Sequence, residues 1–131
     1  WVNSNGISDH VSFLGYRADV LKVIQCFDIQ IFPSHQEGTP NTLYEAMATG
    51  NVPVASTADG QGEILEDGKT ALLFEPGDHA KMAGHVLRLL TDDKLREAIR
   101  RNVQVRIRDF DMKRTIATME ATYEGIMDGR S

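Results

Sequence analysis

The chain has 131 residues, a formal net charge of −5 and one cysteine, Cys26. That length fits a single domain, which buries roughly two thirds of the surface that its unfolded form exposes. The negative charge argues against a nucleic-acid role, because binding along a phosphate backbone needs clustered positive charge. One cysteine cannot form a disulfide within the chain, which favours a reducing compartment.

Apolar runs alternate with helical stretches in the first part of the chain. The apolar runs have the length and the β-branched composition of buried strands. The predicted strands are Val11 to Leu14, Ile29 to Phe32, Val52 to Ala55 and Ala71 to Phe74, and the predicted helices lie at about residues 19–27, 42–49 and 61–66. This order predicts an α/β fold with a Rossmann-like parallel sheet, flanking helices and right-handed crossovers.

Two glutamates, Glu37 and Glu45, stand with seven residues between them where the strand ending at Phe32 gives way to a helix. Ligands of open α/β sheets bind outside the carboxyl ends of the strands, where a helix N-terminus presents backbone N–H groups to anions. An ionised carboxylate accepts hydrogen bonds from vicinal hydroxyls, such as those of a ribose. Spacing alone leaves two interpretations open. Either the two glutamates form a sugar-nucleotide site, or Glu45 is a solvated helix residue and Glu37 is an exposed loop residue.

The residues between these glutamates fit the start of a helix. Thr39 suits an N-cap and Pro40 the first helical position, because proline has no N–H to lose there. The remaining backbone amides of this turn can hold a diphosphate without a lysine or a metal ion. Leu43, Ala46, Met47 and Gly50 share one face at helical spacing. We expect that face to pack on the sheet, which leaves Glu45 toward the cleft or solvent.

Three amphipathic helices are predicted after the last strand, the first of them capped by Asp78. Their apolar positions are Ala83, Val86, Leu87 and Leu90 in the first, Leu95, Ala98 and Ile99 in the second, and Ile116, Met119, Tyr123 and Met127 in the third. No apolar run of about eighteen residues and no signal-peptide pattern occurs in the sequence, so we expect a cytoplasmic domain.

Basic residues cluster in the second of these helices, against the overall charge. They are Lys94, Arg96, Arg100, Arg101, Arg106 and Arg108, and Asp92, Asp93, Glu97 and Asp109 are interleaved with them. Interleaving favours a solvated helix face. The alternative is peripheral contact with an anionic membrane or with a partner protein.

The four histidines, His10, His35, His79 and His85, show no spacing typical of metal ligands. No Cys or His pair suggests zinc, and no Ser-His-Asp arrangement can be argued. We therefore expect no metal ion and no cofactor. His35 stands two residues before Glu37, a position that suggests a general base, but it is better interpreted as a loop residue near the site.

The segment PSHQEGTPNTLYEAMATGNVPVAS resembles, over its whole length, the signature region of group 1 (family 4) retaining glycosyltransferases of GT-B fold. The similarity continues upstream at Phe13 to Arg17 and downstream at Glu63 to Gly68, and it covers nearly the whole chain. The resemblance implies the C-terminal half of a GT-B fold, truncated at its N-terminus. Residues 1–131 would then be a single, partial nucleotide-sugar-binding domain.

The resemblance also implies roles for residues. It implies that Glu37 contacts the hydroxyls of the donor sugar and holds the catalytic position. It implies that Glu45 contacts the ribose hydroxyls. The donor-binding set that it implies is Gly38, Thr39, Pro40, Asn41, Thr42, Leu43, Glu45 and Tyr16. Tyr16 would lie near the base, with simple surface packing as the alternative.

Two departures from the family pattern leave donor choice open. The family has a Gly-Gly pair where this chain has Asp59-Gly60, and Ala71 replaces a common glycine. The predicted function is the donor domain of a retaining hexosyltransferase of polysaccharide biosynthesis. It would bind a nucleoside diphosphate sugar for transfer to a glycan or glycolipid acceptor held by the missing N-terminal domain, and it would be inactive alone. The alternatives are a GT-B sugar-nucleotide 2-epimerase and a non-catalytic sugar-nucleotide-binding module.

Overall fold

A computed structural model describes residues 1–35, 41–58 and 61–110 of the chain. Within them, β1 (Ile29–Phe32), β2 (Val52–Ser56) and β3 (Leu72–Phe74) form a parallel sheet in the order β1-β2-β3. The helices are α1 (Val20–Ile24), α2 (Asn41–Thr49), α3 (Gln61–Ile64), α4 (His79–Thr91) and α5 (Asp93–Arg106). Short 3₁₀ helices span Asn3–Asn5, Ser8–His10 and Ile107–Phe110. The predicted α/β class is confirmed.

The central strand β2 is buried along its whole length, as expected of a parallel strand covered on both faces. It contains Pro53, which cannot donate a ladder hydrogen bond. The N–H of Val52 points toward β1, where it donates to the Asp28 carbonyl at 3.0 Å, so position 53 points toward β3. Pairing with β3 begins only at Val54, opposite Leu72. Proline therefore costs the sheet no hydrogen bond here.

The core lies between the sheet and the helices on it. Leu43, Ala46 and Met47 of α2 are fully buried, which confirms the face predicted for that helix. The helix α5 contributes Ile99 and Val103 to the same core. A half-buried ring, Tyr44, packs on it beside Phe110, with ring centroids 5.3 Å apart.

The apolar face predicted for α4 is correct at Val86, which packs on the core, and wrong at Ala83, Leu87 and Leu90, which are exposed. Leu87 and Leu90 are 62% and 58% exposed, whereas Leu89 is fully buried and Met82 and Val86 pack on the core. The two stripes lie side by side on the helix and both have helical spacing. Sequence periodicity does not choose between them, since the choice is made by contact with β2, β3 and α5.

The predicted strand Val11 to Leu14 is also wrong. These residues are assigned to no helix or strand, and Phe13 is 83% exposed. A strand needs a neighbour for its N–H and C=O groups, and within residues 1–35, 41–58 and 61–110 no strand pairs with the outer edge of β1. The first and third predicted helices are present but shorter, as α1 and α3.

Aspartates begin both long helices. The Asp78 carboxylate accepts a hydrogen bond of 2.9 Å from the Lys81 N–H, which confirms the predicted cap of α4, and Asp92 does the same for Leu95 in α5. Asp19 precedes α1 without capping it. Instead its carboxylate accepts from the Arg17 guanidinium at 2.7 Å. The helix predicted around Ile116 to Met127 lies outside the described residues.

Three of the five basic residues of α5 are paired with carboxylates. Arg96 lies 2.7 Å from Asp93, Arg100 lies 2.9 Å from Asp28, and Arg106 lies 3.0 Å from Asp109. These pairs agree with a solvated helix face. In the part of the chain that the structure describes, no helix is long and apolar enough to span a membrane.

Candidate functional site

The carboxyl ends of the three strands are tied together by hydrogen bonds. The Ser56 hydroxyl donates to the Ser34 carbonyl at 2.6 Å, which joins β2 to the segment after β1. On the other side, the Thr57 N–H donates to the Phe74 carbonyl at 2.9 Å, and its hydroxyl donates to Glu75 Oε2 at 3.1 Å. We call this region, formed by Ser34, His35, Thr57, Ala58 and Glu75, the strand-end edge. It is where ligands of open α/β sheets bind.

The helix α2 begins six residues after His35, at Asn41, and returns along the sheet to β2. Asn41 and Thr42 are exposed in its first turn, while the Leu43 side chain is fully buried. Leu43 therefore packs in the core, as predicted for its face of the helix, and its predicted contact with the donor stays a prediction. Glu45 is half-buried, four residues after Asn41 on the same face of the helix.

Four predicted site residues, Glu37, Gly38, Thr39 and Pro40, lie outside the described residues. The roles given to them stay predictions. Tyr16 is 98% exposed, in the segment between the second 3₁₀ helix and α1. Its ring is thus open to a ligand, and its place near a nucleotide base also stays a prediction.

His35 is exposed and lies against the turn that follows β3. Its Cε1 atom is 3.7 Å from the position that a Cβ would take on Gly77, which has a φ of +86°. This distance places His35 beside the turn that contains Gly77, and its position near a donor site stays a prediction. Glycine suits position 77 because other residues rarely adopt that backbone conformation.

Gln61 was missed by sequence reasoning. It is the first residue of α3, it follows the carboxyl end of β2, and it is fully buried. Neither Nε2 nor Oε1 of its side chain has a hydrogen-bond partner among the described residues. Sequence gave no signal for this burial, because glutamine is usually exposed.

Among the described residues, Glu66 has a clearly shifted pKa, and it lies away from the strand-end edge. The Lys69 ammonium donates a hydrogen bond of 2.6 Å to Glu66, and this bond, with the positive charges of Lys69 and Arg106, lowers the pKa of the Glu66 carboxyl. Glu66 lies before β3, at the opposite end of the sheet. Within residues 1–35, 41–58 and 61–110, no group of three or more His, Cys, Asp and Glu side chains is placed to hold a metal ion.

Residues 1–92 match the family described as "Glycosyl transferases group 1". The chain belongs to this family. Among solved structures, this group 1 glycosyltransferase chain is similar to Anabaena Alr3699/HepE in complex with UDP, at 25% identity and a TM-score of 0.84, over 92% of this chain and 35% of that one. It is also similar to the C-terminal domain of a group 1 glycosyl transferase (LpcC) from Francisella tularensis, at 26% identity and a TM-score of 0.73, over 82% of this chain and 57% of that one.

A curated relative is the N,N'-diacetylbacillosaminyl-diphospho-undecaprenol alpha-1,3-N-acetylgalactosaminyltransferase of Campylobacter jejuni. It is 32% identical over 95 residues, which are 72% of this chain and 25% of the relative. The chain spans from 21% to 37% of the length of the curated relatives compared with it. Its fold is that of a GT-B glycosyltransferase half, consistent with the C-terminal one.

Proposed function

We propose that this chain is the donor-binding domain of a retaining glycosyltransferase, which moves a sugar from a nucleoside diphosphate sugar to a glycan or glycolipid acceptor. The observation that supports the proposal most is the placement of α2. This helix of nine residues starts beside the strand-end edge, with Asn41 and Thr42 exposed in its first turn and Glu45 half-buried behind them. Family membership gives the reaction class.

A helix start at this edge suits the diphosphate of the donor. Its first backbone N–H groups have no partner within the helix, and the aligned peptide dipoles favour negative charge there. The leaving group of the reaction is a nucleoside diphosphate, so the same amides would stabilise the charge that develops as the sugar departs. No metal ion is needed for that role, and we propose metal-independent transfer.

The two glutamates would contact the two other parts of the donor, the ribose and the sugar. Glu45, one turn into α2, would accept hydrogen bonds from the ribose hydroxyls. Glu37 would accept from the sugar hydroxyls and orient the sugar for attack by the acceptor. The complex of the Anabaena relative with UDP supports uridine diphosphate as the first nucleotide to test.

The acceptor would be bound elsewhere in the protein. The name of the Campylobacter jejuni relative contains a diphospho-undecaprenol, which supports a lipid-linked glycan as the acceptor class. A second domain would hold this acceptor against the donor domain and exclude water from the cleft between them. Residues 1–131 would then act as one C-terminal domain.

Product analysis of the full-length protein tests the proposal. Incubation with UDP-sugars and lipid-linked acceptors should yield a new glycosidic bond with the anomeric configuration of the donor. An isomeric UDP-sugar without transfer would instead show a 2-epimerase, and binding without any product would show a sensing module. Either result contradicts the proposal.

Ligand-dependent stability tests the donor site separately. UDP should raise the melting temperature of the full-length protein, because a ligand that binds only the folded state stabilises it. Glu45→Gln should reduce that rise. Glu97→Gln is the matched control, since Glu97 is an exposed glutamate on α5, and it should leave the rise unchanged. Equal loss in both variants would contradict the placement of the ribose.

A further inference from the structure

The Gln61 side chain combines complete burial with a lack of hydrogen bonds. Its backbone is satisfied, because its N–H donates to the Ala58 carbonyl at 3.1 Å and its carbonyl accepts from the Leu65 N–H at 2.9 Å. The side-chain Nε2 and Oε1 have no partner in the part of the chain that the structure describes. The unsatisfied groups are therefore the two ends of one carboxamide.

Within the described residues, folding gives no reason for an amide at this position. Buried polar groups are nearly always hydrogen-bonded, and a buried donor or acceptor without a partner destabilises the folded state. Methionine or leucine would occupy a similar volume without that cost. An amide that destabilises the domain alone suggests that its partners arrive with a ligand.

The position of Gln61 points to the donor as that ligand. It follows β2 at the strand-end edge, only three residues after Ala58. Its side chain has three rotatable bonds, so a change of rotamer would redirect the amide without a change in the backbone. It also directly follows Asp59-Gly60, where the sequence departs from the family pattern.

The chemistry of the amide selects the part of the donor. The Nε2 group donates two hydrogen bonds and Oε1 accepts. Diphosphate oxygens only accept, so a diphosphate would satisfy Nε2 and leave Oε1 unpaired. Sugar hydroxyls donate and accept, and neighbouring hydroxyls can satisfy both ends at once.

We propose that Gln61 is a specificity-determining residue that hydrogen-bonds neighbouring hydroxyls of the donor sugar. The assignment rests on the proposed function, since it needs a sugar nucleotide at the strand-end edge. Gln61 would act beside the two glutamates as a neutral group. It would distinguish between sugars that differ in the positions of their hydroxyls.

The test compares Gln61→Met with wild type in the full-length protein, with UDP and one UDP-sugar as ligands. The UDP-sugar is chosen from UDP-glucose, UDP-galactose and their N-acetylamino forms as the one that raises the melting temperature of wild type most. Without ligand, the variant should melt about 2–6 °C higher, because the unpaired amide is gone. Its UDP affinity should be unchanged. Its affinity for the UDP-sugar should fall roughly five- to twentyfold, since the hydroxyls lose their partner.

Gln104→Met is the matched control. Gln104 is exposed on α5 and lies near Gly50, at the opposite end of β2, and its substitution should change neither affinity. Gln61→Leu should repeat the behaviour of Gln61→Met and replaces it if the methionine variant does not fold.

Three outcomes overturn the assignment. Unchanged UDP-sugar affinity in the Gln61 variants shows that the amide meets no sugar, and an equal loss for UDP and UDP-sugar shows that it acts through the fold, the ribose or the diphosphate. Both leave the proposed function standing. If wild type binds neither UDP nor any of these UDP-sugars, the proposed function fails and the assignment fails with it.

Discussion

Substitutions of Glu45 and Glu37 should have different effects, because the proposed function assigns the ribose to Glu45 and the donor sugar to Glu37. Glu45→Gln should weaken binding of UDP and UDP-sugar alike by roughly 1.5–3 kcal/mol, the cost of losing hydrogen bonds to a charged acceptor. Glu37→Gln should leave UDP affinity nearly unchanged and lower kcat, because Glu37 would meet only the sugar, whose charge develops in the transition state. Calorimetry with UDP and turnover measurements on both variants decide between these effects. A similar loss of UDP affinity in both variants would show that the proposed division is wrong.

Asn51 stabilises the fold through buried hydrogen bonds, and its substitution should lower the free energy of unfolding. Its Nδ2 donates to the Ile24 carbonyl at 2.9 Å and to Gln30 Oε1 at 3.2 Å, and the residue is buried. Asn51→Ala would leave the Ile24 carbonyl without this donor. We expect a loss of about 1–3 kcal/mol in the free energy of unfolding, measured in urea.

Asn102→Ala is the control for that measurement. Asn102 also donates its Nδ2 to a backbone carbonyl, that of Lys69 at 3.0 Å, but it is exposed. Its loss should cost no more than about 0.5 kcal/mol, since water replaces the amide. Equal costs in the two variants would show that burial does not determine the contribution of Asn51.

Individual site residues were predictable only where a local motif contained them. The exposure of Asn41 and the burial of Leu43 follow from helical periodicity and the position of the helix start. Gln61 and Asn51 were not predictable, because their burial depends on which segments pack above them. Side-chain burial of a polar residue is a tertiary property that no local pattern reports.

At the scale of elements, the cap of α4 offers a direct test. Asp78→Ala removes the acceptor of the Lys81 N–H and should lower the free energy of unfolding by about 1 kcal/mol. Asp78→Ser keeps a capping oxygen and should retain most of the stability. Urea denaturation of both variants measures the difference, and equal losses would indicate that the charge of Asp78 matters more than its capping bond.

Elements with their own local signal were predicted well. The strands β1, β2 and β3 lie within one residue of their predicted bounds, since each is a short apolar run with a turn signal after it. Val11 to Leu14 has the same composition and is not a strand, because composition cannot supply a pairing partner. The error on α4 has a similar cause: two apolar stripes were available, and packing selected the one that contains Leu89.

At the scale of the whole molecule, the 131-residue chain by itself should show no transferase turnover with any donor and acceptor pair. Transfer in a two-domain cleft needs the second domain to orient the acceptor and exclude water. The assay uses a chromatographic search for glycosylated product at high chain concentration, with the full-length protein as the positive control. Repeated turnovers by the chain alone would contradict the proposed division into donor and acceptor domains.

The outer edge of β1 has a practical consequence for the solution behaviour of this chain. No strand of the described residues pairs with that edge, Ile31 on it is 42% exposed, and Phe13 lies uncovered in the segment before it. Edges of this kind recruit strands from other molecules, and proteins commonly protect them with lysine. Samples should therefore form β-rich aggregates faster as they are concentrated, and light scattering over days of storage should show that Ile31→Lys slows the process.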